Sequence, residues 1–360
     1  MKGTIKTIAV AITLLAAIGV NYDRGESYCV LFPNNGRDVF GVAQRSIIVF
    51  DEGQVSLIPQ VNFQGNAQDF GLFVPVPAQP ELSTVGANVF TQASFLSQPA
   101  VRQSSGCGCE DNNDGGLIFN SDFEEATPGA LVDQDAGGVT IIHEQIVGTF
   151  AATVLQAATA ADLTQWLSDN NYQFDPSDED VLEEYVSKQW FFVAMKLDTA
   201  QAPENVDVWW TATTSPVRIT FEHDGQTLPY PLKLSAISTD KRADVLVYTI
   251  ASERMTFDGA TAEYANKVDN KEAAAIAVQY PEFATLMAPG LFITKLRRNF
   301  SRAEMQQDIR VAPSDENSEF RQITYVNNGG ANIWAIAFFG LIALLARRRS
   351  MLRKAFPSLW

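Results

Sequence analysis

Histidine is almost missing from this chain: His143 and His223 are the only two in 360 residues. Any histidine-based triad or relay must therefore use one of them. Cysteine is nearly as scarce, with Cys29, Cys107 and Cys109 making an odd count that excludes a dense disulfide framework. Positive charge is missing locally, because no Lys or Arg occurs from Gln103 to Ser187 while 17 Asp and Glu do. Also lacking are a nucleophile elbow, a phosphate-cradling glycine loop, and paired metal-binding histidines on a helix. No tandem repeat is present. No catalytic residue, resident metal or cofactor is assigned on these residues.

What is present is acidity. The chain carries 26 basic and 42 acidic residues. Between Tyr28 and Gly330 the balance is 18 basic to 40 acidic, a net charge of -22. Such a surface repels nucleic acid and anionic headgroups, and partners of the stretch from Gln103 to Ser187 should be cationic, divalent or absent.

Both ends carry apolar runs. Lys2 and Lys6 precede Thr7 to Val20, which reads as an export signal over residues 1–27, either cleaved or retained as an anchor. "ANIWAIAFFGLIALLA" over 331–346 is followed at once by Arg347, Arg348 and Arg349. Sixteen helical residues extend about 24 Å against a hydrocarbon core of about 30 Å, enough for a thin transmembrane helix. The arginines act as a stop-transfer cluster and leave 347–360 as a basic cytoplasmic tail. Gly329 and Gly330 ahead of this run also resemble a glycine-glycine sorting tail. The expectation is a single-pass protein of a cell envelope, with the body at 28–312 outside the cytoplasm and a linker at 313–330. Its partners are the membrane, through the C-terminal helix, and a protein or small ligand of unknown identity.

Within the body, "RSIIVF", "DEG" and "QVSLIPQVNF" predict a hairpin. Pro75, Pro77 and Pro80 remove ladder donors from the next extended run, so it should leave the sheet or follow its edge. Residues 109–138 read as an acidic loop. Calcium is the sharper alternative there, although the spacing is not that of the twelve-residue calcium loop. Two strands should follow, joined near Gly148, and then two helices. The first spans 160–170 with Leu163, Trp166 and Leu167 on one face. The second is capped by Asp175 with Pro176 at its first position. "VRITF" and "LPYPLKLSAI" flank "HDG", a hairpin signal. The fold class is strand-rich α+β with a central helix pair.

Several ordered segments resemble one bacterial family, domain of unknown function 2330. They are "QRSIIVFDEGQVSLIPQVNFQGNAQDFGLFVPVPAQPE", the "GCGC" after it, "GVTIIHEQIVGTFAATVLQAATAADLTQWLSDNNYQF", "EEYVSKQWFFVAMKL", "SPVRITF" and "YPLKLSAIS". The resemblance implies an exported or envelope-bound protein with no established activity. It marks Asp69, Phe70, Pro75, Pro77, Trp166, Leu167 and Tyr172 as structural motif positions. The opening "CVLFPNNGRDVFG" departs from the family's glycine-rich start.

In an oxidising envelope the three cysteines read first as disulfide candidates. A bridge from Cys29 to Cys107 or Cys109 closes a loop of about 78 residues and stabilises by about 4.5 kcal/mol in the chain-entropy model. One thiol is left over. A strained Cys107 to Cys109 bridge would serve thiol redox chemistry instead. Glu110 and Asp111 oppose that role by raising thiol pKa. Zinc would need His143 or His223 beside the cysteines. A non-catalytic binding or structural ectodomain and an envelope enzyme of redox or unrecognised hydrolytic type are thus the two readings.

Overall fold

The computed structural model describes residues 30–33, 40–64, 70–103, 134–172, 174, 176–197, 212–213, 216–237 and 242–326. They fall into two compact units, one from 30–97 and 134–320, the other from 98–103 and 321–326. The signal segment, the three cysteines, Asp69, Asp175, 331–346 and Arg347–Arg349 lie outside the described residues. Among the described residues no helix is long and apolar enough to cross a membrane.

The larger unit contains two broad sheets. The first is antiparallel, in the order β1 (Val30–Pro33), β4 (Phe70–Val76), β10 (Phe191–Leu197), β9 (Phe150–Ala157), β8 (Val139–Val147) and β7 (Gln134–Ala136). The second runs β16 (Thr261–Lys267), β17 (Phe292–Ser301), β14 (Arg242–Ala251), β2 (Phe40–Asp51), β3 (Gln54–Gln64), β12 (Val217–Glu222) and β5 (Pro80–Thr84), with β11 (Ala212–Thr213) beside β3. Only its β2–β14 pair is parallel among the registers along that run. A small sheet adds β13 (Leu228–Tyr230), β18 (Ile309–Pro313) and β15 (Met255–Thr256). The helices of this unit are α1 (Val89–Leu96), α2 (Ala160–Asp169), α3 (Glu179–Val186), α4 (Leu232–Ser235), α5 (Asn270–Gln279) and α6 (Pro281–Ala284).

Side-chain alternation turns these sheets into four layers. Ile48 and Leu57 join Leu72, Val74, Val154 and Val193 in a core shared by the two sheets. Phe73, Leu155 and Phe192 point the other way, onto α2 and α3 through Leu163, Leu167, Leu182 and Tyr185. Ile47, Val49, Tyr248 and Ile250 point outward from the second sheet onto α1, α5 and α6. Strands buried on both faces explain why "IIVF", Ile47 to Phe50, is continuously apolar instead of alternating. The helix pair that is central in the sequence is therefore an outer layer in space, and a second helical layer stands opposite it.

The proline-punctuated run crosses between sheets. Pro75 pairs with Phe192, while the β1 partners of β4 stop at Phe73, so Pro75 lies beyond the end of that pairing. After Pro77 the chain enters β5, which among the described residues borders the second sheet against β12 alone.

Three local expectations change. The hairpin at "HDG" does not form: both sides of β12 are taken by β3 and β5, and β13 pairs with β18 instead. Pro229 and Pro231 limit the following run to a three-residue strand, after which Leu232–Ser235 turn into α4. Pro176–Asp178 form a 3-10 turn and α3 begins at Glu179, with Asp178 at its cap making no side-chain cap bond. Finally, Gln134–Ala136, inside the segment read as acidic loop, pair with β8 as β7.

In the smaller unit, β6 (Ala100–Gln103) and β20 (Ile323–Val326) form a two-stranded parallel ribbon. The two-residue β19 (Phe320–Arg321) lies where the chain passes from one unit to the other.

Candidate functional site

Several motif positions meet at the C-terminal end of α2. Asn171 adopts a left-handed conformation (φ 57°) that ends the helix. Its N–H donates to the Ser168 carbonyl at 3.0 Å, and the Tyr172 N–H donates to the Leu167 carbonyl at 2.7 Å. This is the Schellman arrangement, in which the residue two past the cap returns to the last turn. The Tyr172 ring then stacks on Trp166 at 5.9 Å and lies against Gly71 of β4. Lys196, the cross-strand partner of Gly71, places its ammonium 4.4 Å from the centre of the Tyr172 ring and donates to the Asn170 carbonyl. A cation is favoured at that negative helix end. Burial lowers the Lys196 pKa and raises that of the Tyr172 hydroxyl. Trp166, Leu167 and Tyr172 are thus brought together, whereas Pro75 and Pro77 mark the sheet crossing. The Phe70 backbone stands at the start of β4.

A second polar cluster joins α3, α4 and the approach to β18. The Tyr185 hydroxyl donates to Asp308 Oδ1 at 2.8 Å, and the Lys233 backbone N–H donates to the same oxygen at 3.0 Å. Lys233 Nζ reaches Glu184 Oε2 at 2.8 Å, and Lys188 Nζ reaches Glu184 Oε1 at 2.9 Å. Burial raises the Asp308 pKa against the pull of its two donors, and burial followed by the Asp308 charge raises that of Tyr185. Hydrogen bonds from Lys233 and then Lys188 hold Glu184 below the usual carboxylate range. A carboxyl of raised pKa beside a tyrosine can in general move protons. Here Tyr185 is fully buried and Asp308 Oδ1 already accepts two bonds, so the pair ties helices to strands.

Charge also crosses the outer face of the second sheet. Glu263 accepts from Lys295 Nζ at 2.8 Å and from Arg297 Nε at 2.7 Å, and Arg297 Nη1 reaches Asp244 at 2.5 Å. Burial opposes the Glu263 charge, but the two cations hold its pKa down.

At the β2–β3 turn an open cleft of about 560 Å³ is lined by Glu52, Gly53, Gln54, Ala78, Glu222, His223 and Asp224. The His223 backbone N–H donates to the Gly53 carbonyl at 3.0 Å, and its Nε2 donates to the Thr227 carbonyl at 2.9 Å. This cleft suits a cationic group. Nothing in the sequence joined Glu52 to Glu222, because the two meet only through the β3–β12 pairing. His143 stands on β8, with Nε2 3.0 Å from Gln145 Oε1. Among the described residues no three His, Cys, Asp or Glu side chains gather to hold a metal ion.

Comparison with known proteins agrees with the motif reading. The family model for domain of unknown function 2330, "Uncharacterized protein conserved in bacteria", matches residues 26–312, and the chain belongs to that family. No curated protein matches it. The crystal structure of baculovirus P35 is similar at 11% identity and a TM-score of 0.30, covering 82% of this chain and 100% of that one. A mutated baculovirus P35 after caspase cleavage is similar at 8% identity and the same TM-score, covering 77% and 98%. Scores this low carry no argument about fold or activity here.

Proposed function

We propose that this member of an uncharacterised bacterial family is an exported envelope protein, anchored by residues 331–346, whose acidic ectodomain binds a ligand or partner and does not catalyse. The observation that carries this reading is the apolar run at 331–346 ending in Arg347, Arg348 and Arg349, behind a body of net charge -22. The ectodomain's polar clusters support it. Asp308, Glu184, Glu263 and Lys196, whose pKa values depart from the ordinary, are each engaged by a neighbouring element. The acid-lined cleft at Glu52, Glu222 and Asp224 presents an opening to cations.

The test is the intact mass of protein from membrane and soluble envelope fractions, alkylated with and without reductant. A membrane-bound mass retaining Trp360 and carrying one label without reductant supports the anchored, disulfide-stapled ectodomain. A soluble mass ending near Gly330 replaces the anchor with a sorting signal. Two further labels released only by gentle reduction would favour the redox enzyme.

A further inference from the structure

The β6–β20 ribbon has the wrong surface for a water-exposed element. Two strands alone are marginal in water, and parallel strands are ordinarily covered on both faces. Among the described residues seven large apolar side chains are exposed; two of them, Ile323 and Tyr325, share one face of this ribbon, and a third, Val101, stands on the other beside Thr324. Register places Ile323 beside Ala100 and Tyr325 beside Arg102. Side chains paired across strands share a face, so Ile323, Tyr325 and Arg102 form one surface, with Tyr325 65% exposed.

That combination is an aliphatic residue, a tyrosine and an arginine on one side of a short ribbon. Tyrosine concentrates where hydrocarbon meets headgroups, and arginine can lay its stem on apolar surface while its guanidinium reaches phosphate. The ribbon also has a fixed position along the chain. β20 ends at Val326, and the apolar run begins at Ala331. Five residues span at most about 17 Å, so a chain anchored by 331–346 holds this surface close enough to reach the headgroup layer. Among the described residues the outer edge of each strand carries no further partner strand. Unpaired backbone groups exclude the hydrocarbon interior but not the hydrated headgroup zone.

We infer that the Ile323, Tyr325 and Arg102 face of this ribbon rests on the lipid headgroup interface, a contact with the membrane additional to the anchor. The inference rests on the anchored reading above and goes beyond it by naming a second, interfacial contact.

The experiment uses the full chain in vesicles of phosphatidylethanolamine and phosphatidylglycerol, with the photo-crosslinking residue p-benzoylphenylalanine (Bpa) placed singly. The positions are Tyr325→Bpa, Thr324→Bpa on the opposite face, and Val278→Bpa on α5, where Val278 is 86% exposed. A lipid-mass adduct from position 325, weaker at 324 and absent at 278, is the expected pattern. A covalent dimer of the chain from position 325 would assign the face to a second copy and overturn the inference. Flotation with the vesicles but no lipid adduct at 325 would overturn the inference and leave the anchor standing. Failure of the chain to float would overturn both.

Discussion

The contact of Tyr172 with Gly71 makes a sharp prediction, because the ring occupies the space a β-carbon would need. A Cβ on Gly71 would stand well inside contact distance of Cδ1 and Cε1 of Tyr172. The ring is 5% exposed, stacked on Trp166 and covered by the Lys196 ammonium, so it has no free side to move into. Gly71→Ala should therefore overpack the site, at about 1–3 kcal/mol. Displacing the ring adds about 0.5–1.5 kcal/mol for the Trp166 pair and about 0.5–1 kcal/mol for the cation–π contact. The expected loss is about 2–5.5 kcal/mol in urea unfolding followed by circular dichroism. In a Tyr172→Ala background the same change should be neutral or stabilise by about 0.4–1 kcal/mol, since alanine restricts the unfolded chain more than glycine does. The coupling between the two positions in a double-mutant cycle should thus be about 2 kcal/mol or more. Equal losses from Gly71→Ala in both backgrounds would refute the steric argument, as would no loss in the wild-type background.

Glu282 of α6 is 6% exposed and accepts the Asn88 backbone N–H at 2.6 Å and Asn88 Nδ2 at 2.9 Å, ahead of α1. Glu282→Gln turns one acceptor into a donor facing a donor and should cost about 1–3 kcal/mol in a thermal melt; an unchanged melt would count against this role. Glu304 accepts from Ser301 Oγ at 2.7 Å, from the Ser301 N–H at 2.8 Å and from Arg298 at 2.8 Å, which lowers its pKa to about 2. A depressed carboxylate stabilises above its unfolded pKa and loses that contribution as pH falls through the folded value. Wild type should therefore exceed Glu304→Gln in urea midpoint near neutral pH, with the gap closing as pH falls from about 4.5 to about 2. Asp308 has the opposite sign: its pKa is raised, so its linkage term favours folding below the unfolded carboxylate range and fades as pH rises through the folded value. Asp308→Asn should remove that acid-side gain, and an unaltered pH profile would contradict the burial argument.

Much of this molecule is legible from local rules. The apolar doublets of β2 and β3 around "DEG", the Gly148 turn between β8 and β9, and the helical face of Leu163, Trp166 and Leu167 all follow from period and turn chemistry. Family membership was legible as well, because its motifs are ordered segments of sequence. Helix α5 had a readable signal in the Asp269 and Glu272 capping box, but its single buried residue, Ile276, leaves no apolar stripe to mark a helix.

What the tertiary structure alone decided is partnership. The residues of "LPYPLKL" state that they are proline-interrupted, not that β13 will join β18 once both sides of β12 are filled. Gly71, Tyr172 and Lys196 are spread over 126 positions, and only the β4–β10 register and the Asn171 turn bring them into contact. Glu52 and Glu222 share a cleft for the same reason. Propensity and capping act over one or two turns of chain, so sequence determines the elements. Burial is a property of surfaces far apart in sequence, so the choice among compatible neighbours belongs to the folded whole.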